Sequence, residues 1–346
     1  MLAAVLYGKE DLRLETVPDP EPGPGEIVIK VSAATTCGTD LKVWRRGGHA
    51  RMLKPPTLFG HEAAGTIVTL GAGVTDWTIG DRVVANNSAY CGTCFFCDRQ
   101  EYSLCQNLLF NNGTFAEYLK IPAPIVEKNL LAIPDTLSLS LASMTEPLAC
   151  VLHGVARSNA RVGDRIVVLG DGAIGLMFVA AMAAGYRHGK PSEIIVFGGS
   201  PSRLKAAEAM GATKTYLHRD VADIPGLVKS LTDGWGADIV IEATGVPSAW
   251  ELAIACGRPG STINLFGGCP KNTSITVNTE LLHYSELTLK GVFHNTPEFV
   301  KDSLGFIDQH RNLMGLMLSD TRSLSEVGSA FEDMRDRKVI KVAIVP

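Results

Sequence analysis

The rhythm of apolar and polar positions changes near residue 160. Before it, short runs with strand character, such as Ile27 to Val31 and Gly65 to Leu70, stand between Pro- and Gly-rich punctuation at 18–26, 54–56 and 71–73. This texture predicts a β-rich domain over residues 1 to about 145. Beyond it, apolar runs of strand length alternate with longer helical segments: strands at 165–170, 193–198, 237–245 and 261–268, and helices at 173–185, 202–211 and 248–257. Such alternation predicts a parallel sheet with helices on both faces. The last fifty or so residues carry helical stretches at 299–308 and 325–336 before a strand at 341–346, and these can pack on either unit.

Composition fits that picture. A chain of 346 residues holds about two domains, and 46% hydrophobic with 20% charged residues is ordinary for a globular protein. Disorder, collagen and coiled coil are excluded. With 32 Lys and Arg against 36 Asp and Glu the net charge is −4, and no basic block points to nucleic acid or to an anionic membrane, so the expected partner is a small molecule. The longest weakly polar run, Ala173 to Ala184, falls short of the roughly 20 apolar residues that cross a bilayer. The start of the chain has no basic n-region and turns acidic within ten residues, which argues against a secretory signal and for a reducing cytoplasm.

The first strand of the alternating half runs into Gly170-Asp171-Gly172-Ala173-Ile174-Gly175, which opens a helix. In that context the glycines allow a tight turn, close approach of the backbone to a pyrophosphate, and close packing of helix on strand, while the helix N-terminus offers free N–H groups to the phosphates. The second strand ends in Gly198-Gly199-Ser200-Pro201-Ser202-Arg203, where an acid would bond the adenosine ribose of NAD. Gly198 leaves room, Ser200 can donate a hydrogen bond and Arg203 can add charge-assisted ones, so NADP(H) is favoured, with NAD(H) possible. A plain turn at Gly198 with a solvated Arg203 leaves that choice open.

Eight cysteines are unevenly placed, and Cys91, Cys94, Cys97 and Cys105 follow one another at spacings of two, two and seven residues. Four thiolates from one loop close a tetrahedral zinc site that holds structure and performs no chemistry. An iron–sulfur cluster is the rival, but the ferredoxin run continues with x3-C-P and this one does not. Elsewhere Cys37 in TTCGTD, the pair His61-Glu62 in LFGHEAAG and Glu146 in MTEPLAC offer the donor types of a catalytic zinc with an open position. Taken singly, each has a plainer reading: a core thiol, a surface imidazole, an acid at a helix N-terminus.

Together, in this order, the quartet, CGTD, GHE, EPL and the glycine fingerprint make the whole chain resemble the zinc-dependent medium-chain dehydrogenases, most of all their sorbitol (polyol) dehydrogenase branch. Glu146 before Pro147-Leu148, where many alcohol dehydrogenases carry Cys, is what suggests that branch. The resemblance implies a GroES-like catalytic domain over 1–147 and 296–346, and a Rossmann domain with a doubly wound parallel sheet over 148–295. It implies two zinc ions per chain, the reactive one held by Cys37 and His61 with Glu62 and Glu146 as direct, water-bridged or alternating ligands. Thr39 matches the hydroxyl that bonds the substrate oxygen. Lys42 stands where relatives often place a proton-relaying His, so His49 or ordered water is the expected substitute. Trp44 matches an aromatic pocket wall, and Val292, Phe293 and His294 match a segment over nicotinamide and substrate, although polyol dehydrogenases often carry Arg-Tyr at 294–295. Thr244 and Lys341 are assigned to the cofactor, Lys341 as a basic contact to the pyrophosphate. His218 falls near a 2′-phosphate contact of some NADP-using relatives.

The implied activity is hydride transfer between NAD(P) and a secondary alcohol or ketone of a polyol, sugar alcohol, cyclitol or sugar derivative. A threonine-type or other secondary alcohol dehydrogenase is the rival within enzymes, because CGTD fits it too, and a sensor that keeps zinc and nucleotide without turnover is the rival outside them. The segments ending in Gly268 and running through Leu287 to Phe293 resemble those through which relatives pair, which implies a homodimer or homotetramer.

Overall fold

A computed structural model describes residues 1–48 and 53–346 of the chain. His49, one expected carrier of the proton relay, lies outside the described residues. The chain divides into two units, Met1–Ala149 with Asn295–Pro346, and Cys150–His294.

In the first unit the strand Ile27–Thr35 is buried at nearly every position, because partners flank it on both sides. The sheet runs in the order Leu130–Ala132, Arg82–Ala85, Ala63–Leu70, Ile27–Thr35, Lys341–Val345, Leu318–Ser323, with Tyr118–Ile121 also paired to Ile27–Thr35. Register decides function here. Ala34 faces Ala63 on one side and Ile344 on the other, so the residues just past Thr35, just before Ala63 and at the start of the last strand gather at one end of the sheet. The core beside it is aromatic: Phe59, Phe115 and Phe331 lie with ring centroids 5.6 to 6.1 Å apart. The C-terminal helices Pro297–Gln309 and Val327–Arg335 and the last strand belong to this unit.

The second unit is a six-stranded parallel sheet in the order Lys214–Leu217, Glu193–Gly198, Arg165–Leu169, Ala237–Glu242, Gly257–Leu265, Thr288–Gly291. That sequence of strands, third-second-first-fourth-fifth-sixth, is the doubly wound arrangement of dinucleotide-binding domains. The helix Ala173–Ala183 is apolar all round, so periodicity gives it no outer face, and every residue from Gly175 to Met182 is buried. Elements beyond the sequence expectation include the strand Lys214–Leu217, the helices Ile224–Leu231 and Thr279–Tyr284, and the strand Thr288–Gly291. The first and last are edge strands of four residues with none buried, too short and too polar to show as apolar runs.

Candidate active site and metal centres

Cys37 ends the loop after the central strand and caps the helix Gly38–Arg46, its Sγ accepting from the Thr39 N–H at 3.4 Å. His61 and Glu62 directly precede the strand Ala63–Leu70. The sheet register thus brings a ligand atom of Cys37, His61 and Glu62 within 4.8 Å of one another, all three side chains buried. Glu146, in the first turn of the helix Thr145–Ser158, approaches them with its Oε2 3.9 Å from the His61 Nε2.

The surroundings aim these donors. Asp40 lies on the inward face of the Gly38–Arg46 helix with Val43 and Trp44, and its Oδ1 sits 2.7 Å from the His61 Nδ1. That bond fixes the ring and leaves Nε2 toward the other donors, the carboxylate–histidine arrangement of metal ligands. The Glu62 Oε2 accepts from the Thr35 hydroxyl and from the Lys341 ammonium at 2.7 Å, while its Oε1 is buried with no hydrogen-bond partner among the described residues. Burial alone would depress His61, but Asp40 and Cys37 hold it well above its ordinary value. Burial likewise opposes the Lys341 charge, and Glu62, Cys37 and Asp40 together keep it raised. Two buried carboxyl groups and a thiol therefore act on one lysine, and Glu146 adds a third carboxyl group beside His61. An orphaned carboxylate oxygen in such an excess of acceptors fits a divalent cation, which supplies the missing charge and the missing partner.

The loop after Asn86 folds on its own sulfur atoms. Cys94 and Cys97 stand 3.5 Å apart, Cys91 and Cys97 3.9 Å, and Cys94 and Cys105 3.9 Å. Zn–S bonds of about 2.3 Å in a tetrahedron put sulfurs roughly 3.8 Å apart, so the four thiols fit that ion. The backbone N–H of Thr93 lowers the Cys91 thiol to about 6, and N–H groups of Gln106 and Cys97 lower Cys94. Burial pushes Cys97 up and takes Cys105 to about 12.

In the second unit Gly170 has φ +116°, and a Cβ at Gly175 would meet the Gly170 carbonyl oxygen at 1.9 Å. Only glycine serves at either place. The helix that follows starts at Ala173 with Gly172 at its N-cap and no side chain capping it, which leaves the N–H groups at that end for phosphate oxygens. Thr244 packs its Cγ2 toward Gly170 and donates its backbone N–H to Glu242 at 2.7 Å. Asp171 bridges from the glycine loop to the second strand: its Oδ2 accepts from the N–H groups of Gly199 and Ser200, at 2.8 and 2.7 Å. The room that Gly198 leaves is filled by that carboxylate, not open to a ligand as the sequence alone implies.

Other expectations need correction. Trp44, expected as a pocket wall, is 6% exposed and stacks on Phe331 at 6.1 Å, because the helix turns its Asp40, Val43 and Trp44 face into the core. Lys341, expected on the pyrophosphate, is wholly buried and holds Glu62 and the Thr36 carbonyl oxygen, each at 2.7 Å. Of the remaining cysteines, Cys150 and Cys269 are half-buried, and Cys256 is fully enclosed, with burial raising it to about 12. Thr39 is half-buried and Lys42 exposed on the Gly38–Arg46 helix. Val292 is half-buried, Phe293 exposed, and His294 carries φ +59° with its carbonyl oxygen 2.8 Å from the His153 Nδ1. His218 sets its Nδ1 2.9 Å from the Gly198 carbonyl oxygen. Asp40, Thr35 and Asp171 carry no role in the sequence reading, although Asp40 lies inside the quoted CGTD and Asp171 inside the glycine fingerprint.

Residues 23–135 match the alcohol dehydrogenase GroES-like domain and residues 173–309 the zinc-binding dehydrogenase domain. The sorbitol dehydrogenase of Bacillus subtilis is 31% identical over 100% of this chain and 97% of its own length. The chain belongs to the zinc-dependent medium-chain dehydrogenases, on the sorbitol dehydrogenase-like branch. This dehydrogenase is also 32% identical to the L-threonine 3-dehydrogenase of Pyrococcus abyssi, over 98% of this chain and 95% of that one. An alcohol dehydrogenase of Thermus sp. ATN1 shares its fold with a TM-score of 0.88 at 26% identity, covering 100% and 99% of the two chains. The GroES-like and Rossmann expectation is thereby met, and the chain is an NAD(P)-dependent alcohol dehydrogenase. Among the described residues no helix is long and apolar enough to cross a membrane.

Proposed function

We propose that this dehydrogenase oxidises a secondary alcohol of a polyol, sugar alcohol, cyclitol or sugar derivative and reduces the matching ketone. The observation that carries the reading is the buried set of Cys37, His61 and Glu62, with Glu146 beside it and the Glu62 Oε1 left without a partner. When bound, zinc supplies a Lewis acid that eases loss of the hydroxyl proton, and the nicotinamide supplies the hydride acceptor. The chain supplies aim and charge. Asp40 holds the His61 ring with Nε2 inward, and Thr35 and Lys341 pin one oxygen of Glu62 while leaving the other to bind. Thr39, two residues past Cys37 on the first helical turn, is assigned to bond the substrate oxygen and take its proton onward. The cysteine loop is assigned a second, structural zinc. Gly198 and Arg203 support NADP(H) as the dinucleotide, and the Asp171 carboxylate against Gly198 supports NAD(H).

A homodimer or homotetramer is proposed on the segment through Thr288–Gly291, which forms an open edge of the parallel sheet. A cytoplasmic setting fits eight cysteines of which none forms a disulfide. The test is a panel of sugar alcohols, cyclitols, simple secondary alcohols and L-threonine, followed by the fluorescence of the reduced dinucleotide, with particle mass measured by light scattering on the same preparation. Turnover of polyols by a particle of two or four chains is expected. Turnover of L-threonine alone moves the substrate to the amino-acid class, and no turnover of anything in the panel favours the sensor.

A further inference from the structure

Asp171 stands between the first two glycines of the fingerprint and is only 7% exposed. Its side chain leaves the first loop for the end of the second strand, where Oδ2 takes the Gly199 and Ser200 N–H groups. A Cβ at position 198 would lie 2.6 Å from the Asp171 Cβ and 2.7 Å from its Oδ2. The two positions are therefore alternatives, since the fold has space for one side chain there and Gly198 is the residue that gives way. The end of the second strand is where a dinucleotide-binding fold reads the adenosine ribose, with an acid for a free 2′-hydroxyl or with space and positive charge for a 2′-phosphate.

We infer that Asp171 replaces the acid missing from the second strand and selects NAD(H) over NADP(H). This rests on the reading of the chain as a nicotinamide-dependent dehydrogenase. The two N–H groups engage Oδ2 and leave Oδ1 as an acceptor, which a ribose hydroxyl can satisfy by donating. A 2′-phosphate brings acceptor oxygens and like charge to the same place. The Ser200 and Ser202 hydroxyls bond each other at 3.0 Å, and the His218 Nδ1 is 2.9 Å from the Gly198 carbonyl oxygen. Arg203 is the only cationic residue from 198 to 203, one charge against those of Asp171 and a phosphate together.

The test is a fluorescence titration of NADH and NADPH into the wild-type protein, Asp171→Asn, and a double variant Asp171→Ala with Gly198→Asp. Asn keeps an oxygen for the two N–H groups and loses the charge, and the double variant returns the acid to the strand. Wild type should bind NADH at least tenfold more tightly than NADPH. In Asp171→Asn that ratio should shrink at least tenfold, with NADPH gaining in absolute affinity, and the double variant should restore the preference for NADH. Tighter NADPH binding by wild type, or an unchanged ratio in folded Asp171→Asn, overturns the role of Asp171 while leaving the dehydrogenase reading in place. Failure of wild type to bind either dinucleotide overturns both.

Discussion

Asp40 shows what a single side chain contributes to this centre. Its carboxylate orients His61 and raises the proton affinity of the ring, so in the metal-free protein a proton competes with zinc at Nε2. The sign follows from the direction of the shift: protonated His61 persists above its ordinary range, binding releases that proton, and zinc affinity falls as pH falls. Asp40→Asn should lower zinc affinity about 10- to 100-fold and move the onset of pH-dependent loss to lower pH, read by competition with a chromophoric chelator. Unchanged affinity and pH dependence would reject the role. At this scale the sequence disclosed ligand types but not their supports. Cys37, His61 and Glu62 stand out by chemistry, whereas Asp40, Thr35 and Lys341 act through contacts made only when three strands align, and Lys341 reads as a cofactor contact until its strand is placed between two others.

Among the elements, the cysteine loop was the most legible, since all four ligands lie within fifteen residues and need no long-range register. Its fold depends little on regular structure, being built on two short 3-10 turns at Cys97–Arg99 and Tyr102–Leu104. Cys94→Ser should therefore release the loop metal and destabilise the protein by roughly 3 kcal/mol or more at zinc well above its dissociation constant. Proteolysis inside 91–105 is expected while the dinucleotide still binds; resistance to cleavage with full metal content would contradict the assignment. The βα half was legible because buried parallel strands read as unbroken apolar runs. Its edge strands were not, and neither was the inward turn of Trp44, which depends on which face the Gly38–Arg46 helix presents to the core.

For the whole molecule, chemistry is divided between the units. The first carries both sulfur-bearing sites and the second carries the dinucleotide loop, and the family match spans the full chain. The C-terminal strand shows why the order of the chain conceals this, because Lys341 returns across more than 270 residues to pair with Glu62. The central claim is that Cys37, His61 and a carboxylate hold a reactive zinc apart from the one in the loop. Its most direct test is zinc content per chain by mass spectrometry for wild type and Cys37→Ser, with turnover and circular dichroism on the same samples. Two zincs falling to one, with turnover lost and the spectrum unchanged, is the predicted result. A Cys37→Ser protein that keeps its full zinc content and its turnover would contradict it.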